Sequence, residues 1–135
     1  MALPFLDTNI LLRHLLQDLP DQSPRCTAYL QRIERGEIQV RTADTVVFET
    51  VFTLQRTYKV PKANIAAALR PLIDLPGIVL PHKRRFRTAF DLYVTLNLPF
   101  ADAYHAALMQ SLKLTEIVTF DREYNRVPGI MRQEP

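Results

Sequence analysis

An α/β fold built on a parallel sheet is what this sequence predicts, and three observations carry the prediction. Short apolar runs of β character alternate with longer stretches of helical period. At least one helix separates each run from the next, which is the rhythm of βαβ units. The chain has 135 residues, 47% hydrophobic and 23% charged, values typical of one globular domain, here taken to span residues 1–135.

In chain order, strands are expected at Leu3 to Leu6, Ile38 to Val40, Ile78 to Leu80 and Glu116 to Phe120, with a further edge strand at Gly129 to Arg132. The first helix should run from Thr8 to about Gln17. The second should run from Pro24 to Arg35, because Pro24 suits the first helical position and Gly36 a C-terminal stop. A third spans about Ala43 to Tyr58. A fourth, Pro61 to about Asp74, contains Pro71, where a kink or an early end is expected because proline lacks the N–H and clashes with the preceding turn. Helices from Lys83 to Thr95 and from Ala101 to Lys113 complete the set, with a short helical turn after Asp121.

Composition narrows the class. The run Met1 to Leu6 meets Asp7 before it could form a signal-peptide core, and no apolar stretch reaches the roughly 18 residues of a membrane span, so a cytoplasmic protein without membrane association is expected. Cys26 has no partner for a disulfide and no cysteine cluster for zinc. His14, His82 and His105 lack metal-ligand spacing; His105, in an apolar helix, is expected to satisfy a hydrogen bond in the core. The net charge of +3 leans weakly toward an anionic partner.

Four carboxylates carry the chemical reading. Asp7 follows the first strand and opens a helix, as an ordinary N-cap does. Asp121 follows the strand ending Ile117-Val118-Thr119-Phe120, and Asp102 lies in a first helical turn, where the macrodipole favours negative charge. Parallel strands all end at the same sheet edge, where α/β proteins bind ligands, so these acids are expected to converge. Glu49 sits within Val46-Val47-Phe48-Glu49-Thr50-Val51-Phe52, a segment read as apolar around most of its circumference. A carboxylate buried there must be paired with a base, protonated, or facing a cation, and no base lies three or four residues away. Four such acids suit Mg²⁺ or Mn²⁺, hard cations that take oxygen ligands, and phosphodiester hydrolysis is the natural reaction. Asn9 and Thr119, two residues after Asp7 and two before Asp121, are placed to hydrogen-bond the carboxylates or water beside them.

The segments Phe5-Leu6-Asp7-Thr8-Asn9, Glu49 in the third helix, Phe100-Ala101-Asp102-Ala103 and Val118-Thr119-Phe120-Asp121-Arg122 resemble, in this order, the PIN-domain (PilT N-terminus) family, and most closely its VapC-type toxins. The resemblance covers essentially the whole chain. It implies a three-layer α/β/α fold with strand order near 3-2-1-4-5 and an Mg²⁺- or Mn²⁺-dependent ribonuclease activity. Asp7, Glu49 and Asp102 would be the principal acidic ligands and Asp121 the fourth acid. It further implies a homodimer and, for a toxin, a cognate antitoxin. Tyr124 stands at a position often aromatic, and Glu123 adds a negative charge expected to affect substrate approach rather than chemistry.

Other classes fit less well. A haloacid-dehalogenase motif wants a second Asp where Asn9 stands, and a phosphoacceptor receiver wants an early acidic pair and a late Lys that are missing. The serious rival is a non-enzymatic PIN-like module that binds RNA or protein, which the intact acids weigh against. Apolar positions such as Val47, Val51 and Leu54 suggest a dimer interface on the third to fifth helices. Lys83, Arg84 and Arg87 open a helix where basic charge opposes the dipole, so they are expected to contact RNA phosphates.

Overall fold

The computed structural model describes residues 2–135 and divides into two compact units, residues 1–81 and 82–135. The first unit contains α1 (Thr8–Leu16), α2 (Gln22–Glu34), β1 (Val40–Arg41), α3 (Asp44–Phe52), α4 (Lys62–Ile73) and β2 (Ile78–Val79). The second contains α5 (Lys83–Thr95), α6 (Phe100–Ser111), β3 (Glu116–Val118), a 3₁₀ turn (Arg122–Arg126) and β4 (Met131–Gln133). The fold is α/β, rich in helix with short parallel strands.

Strand pairing in the first unit is parallel, Val40 opposite Ile78 and Arg41 opposite Val79. The predicted strand at Leu3 to Leu6 contributes only one parallel bridge, Phe5 to Arg41, closed by Leu6 N–H to Arg41 O at 2.8 Å and Arg41 N–H to Pro4 O at 2.9 Å. Pro4 has a carbonyl to accept with but no N–H to give, which limits the ladder there. In the second unit Glu116, Ile117 and Val118 pair in parallel with Met131, Arg132 and Gln133. Among the described residues the strands thus form two separate two-stranded sheets, and one continuous sheet of order 3-2-1-4-5 is not what the hydrogen bonds make. Strands of two or three residues leave few ladder bonds to extend.

The helices follow local signals with some corrections. Asp7 caps α1, and Gln17 ends it in the left-handed region at φ 51°. The α2 helix starts two residues before the expected Pro24, because Leu19 and Ser23 exchange bonds, Ser23 N–H to Leu19 O and Leu19 N–H to Ser23 Oγ, that wind the chain earlier. Pro24 still falls in the first turn, where a missing N–H leaves no helical bond unmade. Gly36, at φ 78°, stops α2 as expected. The third helix is regular only to Phe52; Thr53–Thr57 widen to a π-turn, closed by Tyr58 N–H to Thr53 O at 3.3 Å. The α4 helix runs through Pro71 to Ile73, so the early end expected there does not occur. Among the described residues no helix is long and apolar enough to cross a membrane.

Burial follows these stripes. Val47, Val51 and Leu54 are buried in the core, which removes them from the dimer interface expected of them. On α5 the inward residues are Phe86, Ala89, Phe90 and Tyr93, at the three- and four-residue spacing of one helix face. Phe90 and Tyr93 meet Phe100 of α6 at centroid distances of 4.9 and 5.3 Å, the latter edge-on, while Ala103, Ala106 and Ala107 let the two helices approach. Packing at the end of β2's approach is equally tight. A Cβ on Gly77 would lie 2.7 Å from Ile33 Cγ2 and 3.1 Å from the Ile33 and Ile38 carbonyl oxygens, and Ile33 is itself 1% exposed and has nowhere to go. Gly77→Ala is expected to destabilise the protein by about 1–3 kcal/mol, the usual range for overpacking. Urea denaturation checks it, and an unchanged midpoint would show that this contact relaxes freely.

Candidate metal and catalytic site

In the first unit the acids gather around the start of α1. The Asp7 side chain accepts from the Thr8 N–H at 2.8 Å, and the buried Thr8 Oγ1 donates to Glu49 Oε2 at 3.0 Å. Thr42 Oγ1 donates to Leu6 O at 3.0 Å and fixes the chain just before Asp7. Asp7 is therefore an N-cap as well as a candidate ligand. Glu49 is exposed, so the argument from its burial fails. The buried stripe of α3 is Val46, Val47, Thr50 and Val51, and at 100° per residue Glu49 lies at its edge, about 60° round from Val46. Asn9, also exposed, lines a groove of about 550 Å³ beside α1 and α2, with Phe5, Ile10, Cys26 and Tyr29.

In the second unit Asp102, Asp121 and Glu123 each offer a carboxylate oxygen, all within 4.8 Å of one another. Asp102 comes from the first turn of α6. Asp121 caps the 3₁₀ turn, its Oδ1 accepting from Glu123 N–H at 3.3 Å, and Thr119 Oγ1 accepts from Asp121 N–H at 3.0 Å. Thr119 thus holds the backbone of Asp121 rather than its carboxylate. The same turn buries Tyr124, whose hydroxyl donates to Asp102 Oδ1 at 3.1 Å and lies 3.0 Å from His105 Nδ1. His105 is exposed and bonds at the edge of this cluster, not in the core as its apolar helix suggested.

Electrostatics record the crowding. Burial, bonds to the Glu123 and Asp121 carboxyls and the Asp121 charge push Asp102 up to about 6, against a smaller opposing pull from the Tyr124 hydroxyl. Burial first, then the neighbouring acids, raises Tyr124 well above an ordinary phenol, so it remains a proton donor. A group of oxygen donors that repel one another is the set a hard divalent cation neutralises, and these residues are compatible with such an ion. Glu123 was assigned to substrate approach by sequence reasoning, yet it belongs to this group; its place two residues after Asp121 on a tight turn was the available signal. Of the expected RNA contacts, Arg84 and Arg87 are exposed on α5 and Lys83 is half-buried, behind a His82 cap residue at φ 61° that makes no side-chain cap bond.

The model of the PIN domain matches residues 5–130, and the chain belongs to that family, a nuclease fold whose members typically depend on divalent metal ions. No curated protein matches the chain.

The raised Asp102 makes a stability prediction. Its folded value, about 6, lies above the 3.8 of an unperturbed aspartate, so between these values the native state keeps a proton that the unfolded chain has released. Metal-free stability should therefore fall as pH rises from about 4 to 6, and Asp102→Asn should escape that loss. In EDTA, the melting temperature of Asp102→Asn relative to the natural protein is expected to climb across this interval. A difference that is flat with pH would contradict an Asp102 raised by burial and by its neighbouring acids.

Proposed function

We propose that this protein is a metal-dependent endoribonuclease that hydrolyses RNA phosphodiester bonds, with Asp7, Glu49, Asp102 and Asp121 as its working carboxylates and Glu123 beside Asp102 and Asp121. The observation that supports this reading most is the group of three carboxylates in the second unit, with oxygens all within 4.8 Å of one another. A divalent ion, Mg²⁺ or Mn²⁺, would supply Lewis acidity toward the phosphate and make water a stronger acid. The chain's own part is to hold the acids in place. Thr8 orients Glu49, Thr119 and the 3₁₀ turn fix Asp121, and Tyr124 bonds Asp102. The role as toxin of a toxin–antitoxin pair, with a homodimer and a cognate antitoxin, draws its support from the sequence resemblance.

Cleavage of a panel of structured RNAs in Mn²⁺ tests the reading. Asp7→Asn, Glu49→Gln, Asp102→Asn and Asp121→Asn should each lower cleavage by about 100-fold or more, the scale of losing a charge that stabilises the transition state. Because Glu49 is exposed and Gln still accepts from Thr8, Glu49→Gln should change stability by no more than about 0.5 kcal/mol. Cleavage that persists in EDTA or in these variants rejects the metal mechanism, and a protein that only binds RNA would favour the non-enzymatic reading.

Lys83, Arg84 and Arg87 are proposed to meet the phosphates of that RNA. Replacing all three with Gln should weaken RNA binding across sequences and flatten its dependence on salt by about 2–3 units of log–log slope, each lost phosphate contact being worth about 0.7–0.9. An unchanged slope would mark them as surface charges only.

A further inference from the structure

We propose that Tyr124 is a positioning residue for Asp102, held in turn by His105, and that this hydrogen-bonded chain sets the direction in which the Asp102 carboxylate faces a divalent cation. The inference rests on the metal-dependent reading above and extends it to residues that do not themselves ligate.

Three features carry it. Tyr124 is only 3% exposed, yet its hydroxyl reaches two polar partners, Asp102 Oδ1 at 3.1 Å and His105 Nδ1 at 3.0 Å. A phenol has one proton, and the carboxylate can only accept, so the proton goes to Asp102 and the phenol oxygen is left to accept. His105 must then give its Nδ1–H, which fixes the neutral ring as the Nδ1-protonated tautomer. Asp102 and His105 stand three residues apart on α6, one helix face, and Tyr124 reaches both from the turn that carries Asp121 and Glu123. The phenol thereby ties the first turn of α6 to the acid-bearing turn after β3.

The consequence is geometric. A carboxylate is planar, so holding Oδ1 fixes the direction of Oδ2, and a ligand that does not have to be oriented binds its ion more tightly. A Phe at position 124 would fill the same volume and pack as well. What it would lack is the single O–H, and any role beyond filling space resides in that group.

Tyr124→Phe therefore tests the proposal. The probe is Mn²⁺ alone, its affinity measured by calorimetry on the full chain, together with the nitrogen chemical shifts of His105 in the metal-free protein. Positioning predicts a Mn²⁺ affinity about 10–100-fold weaker, the scale for losing an outer partner of a ligand, and a His105 that leaves its single tautomer. Where RNA is cleaved, kcat should fall with KM nearly unchanged. His105→Gln, at an exposed position tolerant of change, should weaken Mn²⁺ by a smaller factor. The double variant should be no worse than Tyr124→Phe, because His105 acts only through the phenol. Equal Mn²⁺ affinity in Tyr124→Phe and the natural protein overturns the proposal, as does failure of the natural protein to bind Mn²⁺, and so does a double variant whose losses simply add. A natural protein that binds Mn²⁺ but cleaves no RNA would sink the ribonuclease reading, while weaker Mn²⁺ binding in Tyr124→Phe would still uphold the positioning role.

Discussion

Carboxylate oxygens within 4.8 Å of one another repel, and the second unit is arranged to hold three of them against that repulsion. No single element could do so. The α6 helix delivers Asp102 from its first turn, and the aromatic contact of Phe90 and Tyr93 with Phe100 anchors that turn from beneath. The 3₁₀ turn delivers Asp121 and Glu123, and its closure depends on Asp121 accepting from Glu123 N–H and on Thr119 accepting from Asp121 N–H. Each bond is modest, about 1 kcal/mol net, but together they overdetermine a turn that charge would otherwise open. A cation held there would relieve the repulsion, and its binding would then stabilise the fold.

Structural roles and the proposed chemical roles coincide at the same side chains. Asp7 caps α1 and Asp121 caps the 3₁₀ turn, yet each still has a second carboxylate oxygen to offer. An N-cap is a useful place for a metal ligand because the capping bond fixes the side chain at no added cost in ordering. Thr8 extends the idea: it begins α1, is buried, and gives its hydroxyl proton to Glu49 on α3, so one short side chain orients an acid forty-one residues away. Arg132 is the loose end of the second unit, its buried Nε without a hydrogen-bond partner among the described residues while its terminal nitrogen bonds Thr119 O and Glu134.

How far the sequence could be read depended on the range of the interactions involved. The stripe Phe86, Ala89, Phe90, Tyr93 and the bounds Lys83–Thr95 were legible because helical period and burial are local and reinforce each other. Gly36 stopped α2 where its φ demanded, whereas Pro24 misplaced the start, since proline is tolerated anywhere in the first turn. The π-turn after Phe52 had no signature, because Thr53–Thr57 read as continued helix. Glu49 was misjudged because a run of apolar letters looks buried on all sides until it is wound at 100° per residue, when the glutamate falls at the edge of the stripe Val46, Val47, Thr50 and Val51 rather than within it.

By itself the sequence determined the element types, the amphipathic faces, the acids that follow strands or open helices, and through their order the PIN family to which the chain belongs. Those are properties of neighbours along the chain, written in periodicity and capping chemistry. Only the tertiary structure decided that Glu123 joins Asp102 and Asp121, that Thr8 serves Glu49, and that a buried Tyr124 stands between His105 and Asp102. Hydrogen bonds over nineteen to forty-one residues depend on how helices and turns pack, and a direction fixed by packing leaves no trace in the spacing of letters.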